Sequence, residues 1–305
     1  MTSVACVGEC MIELKQSDST LYARGYGGDT LNTAVYLARL GVATDYVTAL
    51  GDDTMSDEMI AGWAAEGVGV ARVQRLKGKL PGLYMIETDE RGERRFFHWR
   101  ESAAARDLMR LPQTDELLSS FAGDAIIYLS AITLSLYGEE GRSRLLAALK
   151  RVRASGARIA FDTNFRARGW PDQDLTRRAY NETFAIADIV LASTEDLLPL
   201  YPDAGDADLL ARIPSPETVL KLAEPACIVR VDGHERMVKA APLMHPVVDT
   251  TAAGDSFAAA YLAARHHGAS PFEAAEAGHR LAGVVVGYSG AIIPRAAMPV
   301  DVLKR

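Results

Sequence analysis

The chain of 305 residues is 49% hydrophobic and carries 33 basic against 40 acidic side chains, for a formal net charge of −7. That apolar content supports a packed core in a single unit spanning residues 1–305 and excludes a disordered chain. The negative charge gives no general attraction to nucleic acid or to an anionic membrane. No apolar run approaches the ~20 residues of a membrane span, and MTSVACVGE passes directly into a strand pattern rather than a signal peptide. A cytoplasmic location is expected. Cys6, Cys10 and Cys227 are too few and too scattered for a disulfide framework or a zinc site, and read as buried free thiols. The histidines, including the pair His266-His267, lack metal-ligand spacing and read as surface residues.

In chain order, β-rich runs at Val4–Gly8, Tyr46–Leu50, Ala125–Ser130, Arg158–Thr163, Asp188–Ser193 and Ala226–Val231 alternate with helical patterns. Such alternation predicts an α/β fold with a mostly parallel sheet flanked by helices. Helices are predicted over Thr30–Leu40, Ser56–Glu66, Glu139–Ala154, Asp174–Ala187 and Ser270–Tyr288. The first follows a glycine turn, GGDTLN at Gly27–Asn32, and stops at Gly41. Gly28 permits close approach of a small ligand, and Asp29 and Asn32 offer it polar groups; alternatively Asp29 is only an N-cap and Asn32 only a first-turn polar residue. The turn is not a dinucleotide fingerprint, and Gly78-Lys79 lacks the glycine and hydroxyl of a P-loop. Pro81–Arg100 breaks the alternation as two strands around Asp89-Glu-Arg-Gly92. An inserted hairpin has little core of its own and is expected to cover something, with Tyr84, His98 and Arg100 placed to reach beneath it. Arg91, Arg94 and Arg95 read as a solvated edge face.

The string DTTAAGDSF at Asp249–Phe257 comes last and is the most informative. Phe257, Ala260, Tyr261 and Ala264 share a helical face beyond it, so Ala252-Ala253-Gly254 should form that helix's N-terminus. Small residues there let backbone N–H groups approach a phosphate, and Asp255 could take a proton from an attacking hydroxyl. The competing reading is a first-turn acid favoured only by the helix dipole.

Together GGDTLNTA and DTTAAGD, in that order, resemble the ribokinase-like (PfkB) family of sugar kinases over nearly the whole chain. Within the family PGLYMIETDERGERRFFHWRESAAA (Pro81–Ala105), FDTNFRARGW (Phe161–Trp170) and SGAIIP (Ser289–Pro294) are most similar to the branch acting on 2-keto-3-deoxygluconate. The resemblance implies a ribokinase-like fold whose β lid is formed from about 10–26 and 75–101, ATP as donor, Mg2+ carried by the phosphates, and transfer to the substrate's 6-hydroxyl. It implies Asp255 as base, with Ala252, Ala253 and Gly254 stabilising phosphoryl charge. It implies Tyr84, Arg100 and Arg166 at the keto-acid, where arginine matches a carboxylate in bidentate fashion. His98 stands where relatives place a tyrosine. Asn164, Arg230, Gly233 and Gly254 fall on the nucleotide side, although Arg230 reads equally as a sheet-end residue paired with an acid. The family's N-x-x-E motif has no asparagine in ASTEDL, so no metal ligand is assigned. Lid edges in the family pair into dimers, which implies a homo-oligomer. A fructokinase, a ribokinase, and a sugar-acid sensor without turnover remain the alternatives.

Overall fold

The computed structural model describes residues 3–18, 20–88 and 94–304. Runs such as IIYLS at Ile126–Ser130 and IVLAS at Ile189–Ser193 are apolar on both sides and almost wholly buried, as strands inside a parallel sheet must be. Among the described residues the main sheet has eight strands. Their spatial order is His234–Lys239, Ala226–Val231, Glu217–Lys221, Ile189–Ser193, Arg158–Asp162, Ile126–Ser130, Ser3–Val7 and Ala43–Val47. From Glu217–Lys221 to Ala43–Val47 neighbours run parallel; Ala226–Val231 and His234–Lys239 add an antiparallel edge. The expected mostly parallel sheet is therefore present, and the ribokinase-like expectation is met in architecture.

Side-chain alternation divides the interior into two cores. Val4 and Cys6 face one, with the helices Asp29–Arg39 and Ala253–His266; Ala5 and Val7 face the other, with Gly138–Ala154 and Gln173–Phe184. The three cysteines are free and buried, as expected. The helix Asp29–Arg39 stops where Gly41 takes φ +80, a left-handed turn that favours glycine.

A second sheet, in the order Tyr22–Gly27, Met11–Gln16, Leu83–Thr88, Arg94–Trp99, forms the lid. Its extent corrects the expected boundary near residue 75. Gln74–Leu76 instead pairs with Ala49–Gly51 in a separate parallel pair, and the lid strand begins at Leu83. The expected turn Asp89–Gly92, with Arg91, lies outside the described residues. Glu217–Lys221 and His234–Lys239 escaped the sequence reading, the latter because HERMVK is exposed along most of its length and gives little apolar signal. The carboxyl ends of the parallel strands present Asp162, Ser193 and Lys221 along one edge of the sheet, the position at which open α/β sheets bind ligands.

Candidate active site

The turn before Ala253–His266 is held by a buried carboxylate. Asp249 accepts from the Thr251 backbone N–H at 2.9 Å and hydroxyl at 2.6 Å through Oδ1, and from the Gly290 N–H at 3.0 Å through Oδ2. So clamped, the chain passes through Ala252 at φ 60, a left-handed conformation unusual for alanine, and enters the helix. The Ala253 N–H closes the turn on the Thr250 carbonyl at 3.2 Å. The first-turn amides of Gly254 and Asp255 have no carbonyl a turn behind them and are the natural anion donors. Ala253, expected beside Gly254 at the phosphate, thus has its amide partly committed within the turn. A Cβ on Gly254 would meet only the Lys221 ammonium, at 3.7 Å, so the space over this turn is open.

Asp255 is half-buried, and its Oδ2 accepts from Asn32 Nδ2 at 2.8 Å. Burial, and next the Asp29 carboxylate, push its carboxyl up to about 7, against the opposing Asn32 hydrogen bond. A carboxylate poised near neutral pH suits a general base far better than an ordinary aspartate. Asp29 does not act as an N-cap: Gly28 occupies that position, and Asp29 Oδ2 accepts from Asn164 Nδ2 at 2.8 Å. Asn32, Asp255, Asp29 and Asn164 are therefore brought into one cleft. A Cβ on Gly28 would lie 2.2 Å from the Glu9 carbonyl, which accounts for the glycine there.

The lid descends onto this cleft. Tyr84 donates its hydroxyl to Glu13, and that hydroxyl lies where a Cβ on Gly27 would be, 2.3 Å away. His98 stacks on Tyr84 with ring centroids 6.0 Å apart, and burial lowers its pKa. Arg100, at the foot of the returning strand, pairs with Glu9. Arg166 donates to the Phe165 carbonyl at 2.7 Å and lies 3.7 Å from Asp196, with its side chain 62% exposed. Arg168 reaches the lid, donating to the Phe96 carbonyl at 3.4 Å.

A family description, pfkB family carbohydrate kinase, matches residues 1–298. The chain belongs to the pfkB family of carbohydrate kinases. It is 44% identical over 307 aligned residues to a 2-dehydro-3-deoxygluconokinase from Dickeya dadantii (strain 3937), covering 97% of this chain and 98% of that protein. It is 40% identical over 306 residues to the 2-dehydro-3-deoxygluconokinase of Escherichia coli (strain K12), with the same coverage of 97% and 98%. In fold it is similar to a fructokinase with bound ATP from Xylella fastidiosa, at a TM-score of 0.85, 23% identity and coverage of 99% and 97%.

Two residues expected on the nucleotide side of this pfkB chain lie elsewhere. Arg230 pairs in register with Thr218 and Val231 with Glu217, at the end of the sheet remote from Lys221. Three residues of strand separate them, ~10 Å, and Gly233, at φ +76 in the turn beyond Val231, is farther still. The Arg230 guanidinium is taken up by the Leu210 and Ile213 carbonyls and the Thr218 hydroxyl, not by an acid. The hairpin turn at the carboxyl edge is 222–225, after Lys221, whereas VRVDG turns at the opposite edge.

A cavity of about 570 Å³ lies between His234–Lys239 and the helix Pro271–Val285, lined by Met237, Leu243, His245, His279 and Val284. The Val248 N–H donates to the Val286 carbonyl at 2.8 Å, which ties the segment leading to Asp249 to the end of that helix. His279 was expected at the surface; it is half-buried, its Nε2 3.2 Å from the Val238 carbonyl. The sequence alone does not single out Asp162, Lys221, Asp249 or Glu9, and it shows Asp196 only as an acid of ASTEDL without a role. Asp162 and Asp249 stood inside the quoted motifs, whereas Lys221 carried no signal because its strand went unrecognised.

Proposed function

We propose that this chain transfers the γ-phosphoryl group of ATP to the 6-hydroxyl of 2-keto-3-deoxy-D-gluconate, giving 2-keto-3-deoxy-6-phosphogluconate and ADP. The observation that carries this reading is Asp255, raised to about 7 at the mouth of an open turn of backbone donors. Beneath the lid a hydroxyl at Asp255 loses its proton as it attacks, while the Gly254 and Asp255 amides stabilise the transferred group. Tyr84 and His98 close over the sugar, Gly28, Asp29 and Asn32 line its floor, and Arg100 and Arg166 receive the carboxylate. The cavity beside His279 has the size and apolar lining for a purine, with Asn164 toward the phosphates.

For Mg2+, the donor set fits an ion carried by the phosphates rather than one caged by the protein. Among the described residues no group of three or more His, Cys, Asp or Glu is arranged to hold a metal. Asp196 is already bonded by Thr163, Ser193 and the Phe165 N–H at 2.7–2.9 Å. The ion, when bound, supplies charge neutralisation on the phosphates.

Among the described residues no helix is long and apolar enough to cross a membrane. We place the enzyme in the cytoplasm, acting on a small sugar acid rather than on nucleic acid or membrane, and as a dimer through the lid, whose edge strand exposes Phe97 by 41% and Trp99 by 58%. Measuring ADP formation across 2-keto-3-deoxygluconate, fructose and ribose tests the substrate. Keto-acid turnover should dominate; faster turnover of a neutral sugar would replace this reading with a fructokinase or ribokinase.

A further inference from the structure

Lys221 ends the strand Glu217–Lys221 at the carboxyl edge of the sheet, with its side chain 18% exposed. Its ammonium lies 3.3 Å from Asp162 Oδ2, the one hydrogen-bond partner found for it among the described residues, so protons remain for a ligand. Asp162 is itself buried and additionally accepts from the Asn164 N–H at 3.1 Å. The ammonium bounds the open space over Gly254, 3.7 Å from where a Cβ would be. It also stands among carboxylates, since Asp162, Asp196 and Asp255 all act on it electrostatically. A nucleotide tail brought onto this turn adds several negative charges to a cleft already holding Asp29, Asp162, Asp196 and Asp255. A fixed cation here offsets part of that charge, which a neutral donor does not.

We propose that Lys221 is a catalytic residue that contacts the transferred phosphoryl group, and that Asp162 is the positioning residue that holds its ammonium over the turn. In the transfer the sugar's 6-oxygen bonds to the γ-phosphorus, and the bond from that phosphorus to the β–γ bridging oxygen breaks. ADP leaves with the electron pair, and the hydroxyl proton passes to Asp255. Lys221 keeps its protons throughout and offsets charge on the equatorial oxygens. Asp162 keeps the lysine protonated and stops it collapsing onto Asp255.

The inference rests on the kinase reading, and the test separates the two. Calorimetric titration with ATP and with AMP, in magnesium, accompanies steady-state kinetics on the wild type, Lys221→Met, Lys221→Arg and Asp162→Asn. Lys221→Met should weaken ATP roughly tenfold or more, leave AMP within about twofold, and lower kcat by ~10²-fold. Lys221→Arg should recover at least about a tenth of the wild-type kcat by keeping the charge. Asp162→Asn should lower kcat with little change in KM for the sugar acid. Wild-type ATP affinity and kcat in Lys221→Met, or equal losses for ATP and AMP, would overturn the assignment. Should Lys221→Met alone fail to fold, the double variant Lys221→Met/Asp162→Asn leaves no unpaired buried charge and bears the same comparison. The ATP–AMP comparison needs no sugar, so a wild type inactive on the keto-acid refutes the substrate assignment without touching this one.

Discussion

Asp255 carries two opposing demands. Its carboxyl is raised from an ordinary 3.8 to about 7, so in the folded state ionisation is unfavourable. The sign follows from linkage: a raised folded pKa gives stability that is complete below the unfolded value and lost as pH climbs through about 7. Activity has the opposite slope, because a base must be ionised. Turnover should therefore rise through about pH 7 while Tm falls. Asp255→Asn should remove ~10²–10⁴-fold of kcat and raise Tm above pH 7 by roughly a few degrees; a normal kcat in the folded variant would dismiss Asp255 as base. Arg166→Ala should lower kcat/KM for the sugar acid by about 2–4 kcal/mol, yet barely change it for an analogue with an alcohol in place of the carboxylate. Equal losses on both would remove Arg166 from carboxylate recognition. At this scale the sequence was legible where chemistry is local. DTTAAGD exposed Asp255, but nothing in it showed that Asn32, 223 residues away, donates to the same carboxylate.

Elements were legible where apolar periodicity was strong, and the alternating strands and helices followed from it. The lid hairpin was visible because it broke that alternation. The Arg230 assignment failed because VRVDG and the segment 222–225 are turns of successive hairpin connections, and only strand register tells which end of the sheet each occupies. The lid itself is tied down on both sides, by Arg168 to the Phe96 carbonyl and by Lys15 to the Ser289 hydroxyl at 3.0 Å. Tyr84→Ala should loosen that cover, raising KM for the sugar acid and increasing ATP hydrolysis without sugar, since water would reach the phosphates. Unchanged values for both reactions would make the hairpin purely structural. Gly27→Ala tests the same seat from below, because its methyl would occupy the Tyr84 hydroxyl's place; it should resemble Tyr84→Ala in kinetics.

For the whole molecule, two cores on opposite faces of one sheet make stability a property of the entire chain. Leu149, fully buried on the helix Gly138–Ala154, should cost about 2–5 kcal/mol as Leu149→Ala, read as a fall in the denaturant midpoint. The first strand gives this architecture a consequence in time. Ser3–Val7 lies between Ala43–Val47 and Ile126–Ser130, so one edge finds its partner early and the other must wait for residue 126 to be made. At ~5–20 residues per second, synthesis leaves a strand that is buried in the finished enzyme with one edge uncovered for several seconds or more. Nascent chains halted before Ile126 should therefore be protease-sensitive and prone to self-association, and those extended past the Ile126–Ser130 strand should be markedly less so.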